Sequence, residues 1–237
     1  MKNSNHQLLF TIATLTGFAA TATADITGAY VVEYSVTAED FGGASVSVNV
    51  QDLYLSSDDS ADVALNVYNM QMSEAGKVDY FQSFTSTGWI AANAGGPFDA
   101  PALRLADSFV TIGGFAQDTL RPEQAPGIGA GMALDPDFGG SDVDYPSASG
   151  GWYNSSPPSL AGQVGQVAGP DGSFGLGVLV GRFAYDGDFS LEGTTLEVTS
   201  NQGLGTPGVQ AGFITVPAPG ALALLGFAGL SGRRRRG

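Results

Sequence analysis

The chain has 237 residues, 43% of them hydrophobic and only 14% charged, with 35 glycines, no cysteine and one histidine, His6. Disulfides, thiolate nucleophiles and Cys-ligated metals are therefore excluded, and beyond His6 so are Ser-His-Asp triads, His-ligated zinc and the usual general base near neutral pH. Residues 25–216 carry all 23 acidic residues against four cations (Lys77, Arg104, Arg121 and Arg182), a net −19 that repels phosphate backbones and excludes a nucleic-acid partner.

Residues 1–24 fit a secretory signal peptide. Lys2 supplies the positive start, and the run from Leu8 to Ala20 is short and apolar. Ala22 and Ala24 then place small residues at the −3 and −1 positions, so cleavage is expected between Ala24 and Asp25.

From residue 25 to 215 the chain reads as one acidic all-β domain. Helical periodicity is nearly absent and period-2 alternation recurs. Strands are expected over 30–37, 45–51, 63–68, 78–85, 108–113, 176–185, 194–199 and 212–216. In the second of these, Val46, Val48 and Val50 alternate with polar residues, then the apolar phase shifts to Leu53 and Leu55, which predicts a bulge near Asp52. In the third, Val63, Leu65 and Val67 are expected on one face. Glycine- and aspartate-rich turns separate the runs. This pattern predicts an antiparallel β-sandwich or jelly-roll-like domain. No internal repeat is visible, which disfavours a solenoid.

Residues 120–172 are rich in Gly, Pro, Ser and Asp and predict long loops with one or two inserted strands. Within them, Asp135, Asp137, Asp142 and Asp144 place four carboxylates in ten residues. Such a set could wrap Ca²⁺ with oxygen ligands, although it lacks the EF-hand spacing, and aspartates are equally at home in plain turns. Asp58, Asp59 and Asp62, and Asp186 and Asp188, are weaker sets of the same kind. No other cofactor is indicated. Trp89, Trp152 and Tyr153 could stack on sugar rings, against the alternative that they fill the core. Carboxylate-pair glycoside hydrolysis survives the lack of histidine, but spacing alone nominates no pair among the acidic residues.

The C-terminal segment, 216–237, joins a proline box to 16 uncharged residues from Pro217 to Gly232 and then Arg233, Arg234, Arg235 and Arg236. As a helix the uncharged run spans about 24 Å, short of a hydrocarbon core of roughly 30 Å. The arginines are expected on the cytoplasmic side, with the domain outside.

That order of proline box, short Gly/Ala/Leu helix and terminal arginines resembles the PEP-CTERM sorting domain of exported bacterial proteins. Val216, Pro217, Ala218 and Pro219 correspond to its signature box, with Ala218 standing where the family name has glutamate. The resemblance implies recognition by an exosortase-type membrane protease, cleavage near the box, and association with exopolysaccharide and biofilm matrix. A plain single-pass anchor is the simpler alternative. The runs at 107–113, 134–138 and 151–154 also resemble a group of tail-bearing exported proteins with no assigned activity.

The expected protein is thus a non-enzymatic cell-surface or extracellular-matrix protein, structural or adhesive towards exopolysaccharide. Its alternatives are a carbohydrate-binding module, calcium-assisted in one form, and a secreted glycan hydrolase. The oligomeric state is left open.

Overall fold

The computed structural model describes residues 25–40, 42–71, 80–82, 89, 100–113, 132–135, 138, 149–168 and 174–217. The expected signal helix and the expected tail helix lie outside them. Among the described residues no helix is long and apolar enough to cross a membrane.

Among the described residues ten strands follow one another: β1 (Ile26–Glu39), β2 (Ser45–Ser57), β3 (Val63–Gln71), β4 (Phe109–Val110), β5 (Met132–Leu134), β6 (Ser149–Asn154), β7 (Gly165–Ala168), β8 (Phe174–Tyr185), β9 (Thr195–Asn201) and β10 (Val209–Pro217). Helix appears in α1 (Pro101–Leu105), opened by its proline, and in a 3₁₀ turn at Pro157–Ser159. Among its described residues, the segment expected to hold one or two inserted strands holds three, β5, β6 and β7. Of the strand expected over 78–85, residues 80–82 are described, and Tyr80 bridges to Tyr185.

The strands form one mixed sheet in the order β4-β8-β2-β1-β10-β9-β3-β6-β5, with β7 also paired to β8. It departs from the wholly antiparallel sheet expected from sequence, because β1 and β10 pair in parallel, with Tyr30 opposite Val216 and Val31 opposite Pro217. A parallel pair requires a long crossover, and here nearly the whole domain lies between the two strands. The sheet curls about this seam. Its two halves both contribute to the main core, with Val31, Leu53, Val178 and Phe183 from one and Val67, Met70, Trp152 and Val198 from the other.

Two expectations about strand phase are corrected. In β2 no bulge occurs at Asp52: the register with β1 is unbroken from Gly28 opposite Ser56 to Glu39 opposite Ser45. Residues from Val50 to Leu55 are all buried because both faces of the strand are covered. Leu53 and Leu55 enter the main core, while Val50 and Tyr54 enter two smaller clusters on the opposite face. The irregularity falls in β8 instead, where Leu53 faces Gly181 and Tyr54 faces Leu179, leaving Val180 as the extra residue.

In β3 the pairing with β9 skips from Ala64 to Asn66, so Leu65 is the bulged residue and is only half-buried. Ala64 and Val67 point to the core together with Met70. The Asn66 side chain accepts the Thr199 N–H at 2.7 Å, filling the ladder bond that the bulge disturbs.

The chain also passes very close to itself beside β3. Ala64 N–H donates to the Gly162 carbonyl at 2.9 Å, and a Cβ on Gly162 would lie 2.0 Å from the Ala64 carbonyl oxygen. Gly162→Ala is therefore expected to cost about 1–3 kcal/mol, because backbone rather than a flexible side chain must move. Urea denaturation reads this as a lower midpoint at unchanged slope, and an unchanged midpoint would contradict the close approach.

Candidate functional site

Asp135 is the only member of the expected cation set among the described residues; Asp137, Asp142 and Asp144 lie outside them. Its Oδ1 accepts the Phe138 N–H at 2.8 Å, which is the local hydrogen bonding of a turn-forming aspartate. Its Oδ2 lies over Gly151, 2.0 Å from where a Cβ would stand. Of the weaker set at 58–62, Asp62 is buried and accepts from Ser57 Oγ at 2.7 Å and from the Asp25 N–H at 3.2 Å. Asp59 Oδ1 accepts the Ala61 N–H at 2.9 Å. Asp135 and Asp59 hold turn backbone, and Asp62 ties Ser57 to the start of β1. No group of three or more His, Cys, Asp or Glu able to hold a metal ion occurs among the described residues.

Of the two readings of Trp152, stacking on sugar or filling the core, the ring takes the core position. Its indole is fully buried, donates from Nε1 to the Thr111 carbonyl at 2.9 Å and meets Phe138 edge to face at 6.2 Å. Trp89 is likewise wholly buried, against Tyr80, Phe138 and Phe183. Neither ring has a face open to a ligand. Tyr153, the next residue along β6, points the other way and is 41% exposed.

A buried charge network was not foreseen from sequence. Asp52 on β2 and Arg182 on β8 stand opposite each other. Arg182 donates Nε to Oδ1 at 2.7 Å and Nη2 to Oδ2 at 3.0 Å, and Tyr34 Oη donates to Oδ2 at 3.1 Å. The guanidinium carbon lies 5.4 Å from the centroid of the Phe109 ring. Burial alone would lower the Arg182 pKa, but the Asp52 charge and hydrogen bonds turn the net shift upward, so the arginine stays charged. Burial raises the Tyr34 pKa; Arg182 opposes this, and the Asp52 charge and hydrogen bond add to it. Tyr30 stacks on Tyr54 at 5.3 Å in the same layer, and burial pushes its phenol up to about 12. With Asp52 and Arg182 both buried, the pair organises the fold and is closed to substrate.

The outer face of β10, β9, β3 and β6 has a different character. Alternation along β9 sends Leu196 and Val198 inward and Thr195, Glu197 and Thr199 outward. The pairings align outward residues in rows that cross the strands: Ile214, Thr195 and Gln71 in one, Gly212, Glu197 and Tyr68 in the next, Gln210, Thr199, Asn66 and Tyr153 in a third. Tyr68 hydrogen-bonds Glu197, and its phenol pKa is raised by desolvation first and then by that bond and charge.

A shallow depression of about 580 Å³ opens over the first two rows, bordered by Asn69, Gln71, Thr195, Glu197, Gly212 and Ile214. Asn69 is held at φ 49° by a further bulge, where β3 gains one residue between Tyr68 and Gln71. Asparagine is among the few residues with a side chain that occupy this left-handed region readily.

No family model, no curated protein and no solved structure matches this chain. The site is therefore read from its own geometry. That geometry offers a polar, open sheet face bearing Glu197, Tyr68 and Tyr153, and a sealed charge network behind the opposite half of the sheet.

Proposed function

We propose that the protein is exported and sorted to the cell surface or extracellular matrix by an exosortase-type system, where it acts as a non-enzymatic structural or adhesive domain against exopolysaccharide. One observation carries this reading. β1 opens at Ile26, just past the expected cut between Ala24 and Asp25, and β10 ends at Pro217, inside the proline box. The folded unit thus fills the span between the two signals, and a cut after Pro217 would leave its strands whole. Within this reading the two halves of the curled sheet are the layers of a jelly-roll-like sandwich. The carbohydrate-binding alternative draws support from the polar outer face and from exposed Tyr153.

Intact mass and fractionation of the protein from its native envelope test the sorting. The expected species lacks residues 1–24 and the hydrophobic tail and is found in the matrix fraction. A species retaining Arg233–236, found in membranes alone, would overturn processing and leave a tail-anchored surface domain.

A further inference from the structure

We propose that the depression on the outer face of β3, β9 and β10 binds a segment of a neutral, hydroxyl-rich glycan chain, a ligand class that rests on the polysaccharide reading above. Three features meet there. The cavity of about 580 Å³ lies in the size range of ligand clefts but is open to solvent. A polymer segment can therefore lie across it without its ends being enclosed. Gly212 sits inside strand β10, where glycine costs strand stability, and a Cβ added there would meet its nearest atoms, in Glu197 and Leu196, only at 3.9–4.0 Å. Packing does not demand that glycine; the open notch is its consequence. The bulge with Asn69 at φ 49° brings Asn69 to the rim beside Gln71, and bulges commonly re-aim side chains at binding sites.

The chemistry of the rim selects the ligand. Asn69, Gln71, Thr195 and Glu197 offer amide donors and acceptors, a hydroxyl and a carboxylate, and Ile214, 61% exposed, offers an apolar contact for the C–H face of a sugar ring. Hydroxyl groups satisfy all of these. An anionic polymer would meet Glu197 and no cation, since among the described residues this face carries no lysine or arginine. Arg182, one of the four cations of residues 25–216, is neutralised in the core by Asp52. The net −19 of that span repels such a polymer further. A peptide cannot add itself as an extra strand to β3 or β9, which have hydrogen-bonded neighbours on both sides, whereas β10 meets β1 only from Thr215 to Pro217.

The test is calorimetric titration of the full chain with cellohexaose, maltohexaose and mannohexaose, and with an alginate hexamer as the anionic probe. At least one neutral hexasaccharide is expected to bind, and alginate is not. Gly212→Val, which fills the notch with a residue favoured in strands, is expected to weaken that binding by about tenfold or more with its melting temperature kept or raised. Glu197→Gln, which keeps the shape and removes the charge, is expected to leave alginate binding weak and to change neutral binding less than Gly212→Val does. Neutral binding unchanged in Gly212→Val would place the site elsewhere and overturn the proposal. Binding of alginate alone would overturn the ligand class while leaving the polysaccharide reading intact. Binding of none of the four would overturn the site, while the mass and fractionation result would still decide the sorting by itself.

Discussion

Replacing Arg182 with methionine is expected to destabilise the protein by about 3–5 kcal/mol, because it leaves the Asp52 carboxylate buried without its partner. Asp52 loses two charge-assisted hydrogen bonds at 2.7 and 3.0 Å and keeps only the neutral donor Tyr34 at 3.1 Å. Against a typical total of about 5–15 kcal/mol, that loss removes roughly a fifth or more of the stability of an ordinary domain. The double variant Asp52→Leu with Arg182→Met is expected to recover most of it, since two apolar side chains of similar volume suit a layer already made of Val32, Tyr54, Phe109 and Leu179. Urea denaturation of the two variants forms the comparison. A single variant that costs less than about 1 kcal/mol would mean that the ion pair is solvated in practice, in the manner of surface pairs. A double variant no better than the single would mean that the pair contributes more than mutual compensation.

The second large effect separates two neighbours in sequence. Trp152→Ala is expected to cost about 3–5 kcal/mol, the range for a large aromatic removed from a packed core. The change also strands the Thr111 carbonyl, which loses its Nε1–H donor, and removes the edge-to-face contact with Phe138. Tyr153→Ala is expected to change stability by no more than about 0.5 kcal/mol, the range for surface positions. Denaturation midpoints of the two variants read the difference directly. If Trp152→Ala left stability intact and abolished glycan binding instead, the burial assigned to the indole would be wrong.

The same pair of residues shows where sequence reading runs out. Local alternation says that Trp152 and Tyr153 face opposite ways on a strand, but not which way is inward. That choice is made by β3 and β5 on either side, which align Trp152 with Val67 and Leu134 of the core and Tyr153 with Asn66 and Ala133. The phase change in β2 is a similar case. It suggested a bulge because alternation was assumed to report one buried face, whereas β2 is covered on both. The aspartate within that strand looked like a break in the pattern and proved to be half of an ion pair. Nothing local to residue 52 announces a partner 130 positions away. The proposed binding face is partly legible in sequence: Tyr153 is an aromatic candidate there, whereas Glu197 and Gly212 become candidates only when their strands are set side by side.

What the residues settle by themselves is the chemistry that is absent and the kind of local structure that forms. Lack of cysteine and the lone His6 close whole classes of catalysis, and period-2 alternation broken by glycine and aspartate turns gives strands, because these depend only on side-chain identity and nearest neighbours along the chain. The tertiary structure alone decided that β1 pairs with β10 in parallel, that both faces of β2 are buried, that Arg182 meets Asp52, and that Gly212 leaves a notch beside Glu197. Burial and pairing are properties of what lies across a face. The loop entropy overcome to bring distant strands together depends weakly on their separation, so no short stretch of sequence records which partners will meet.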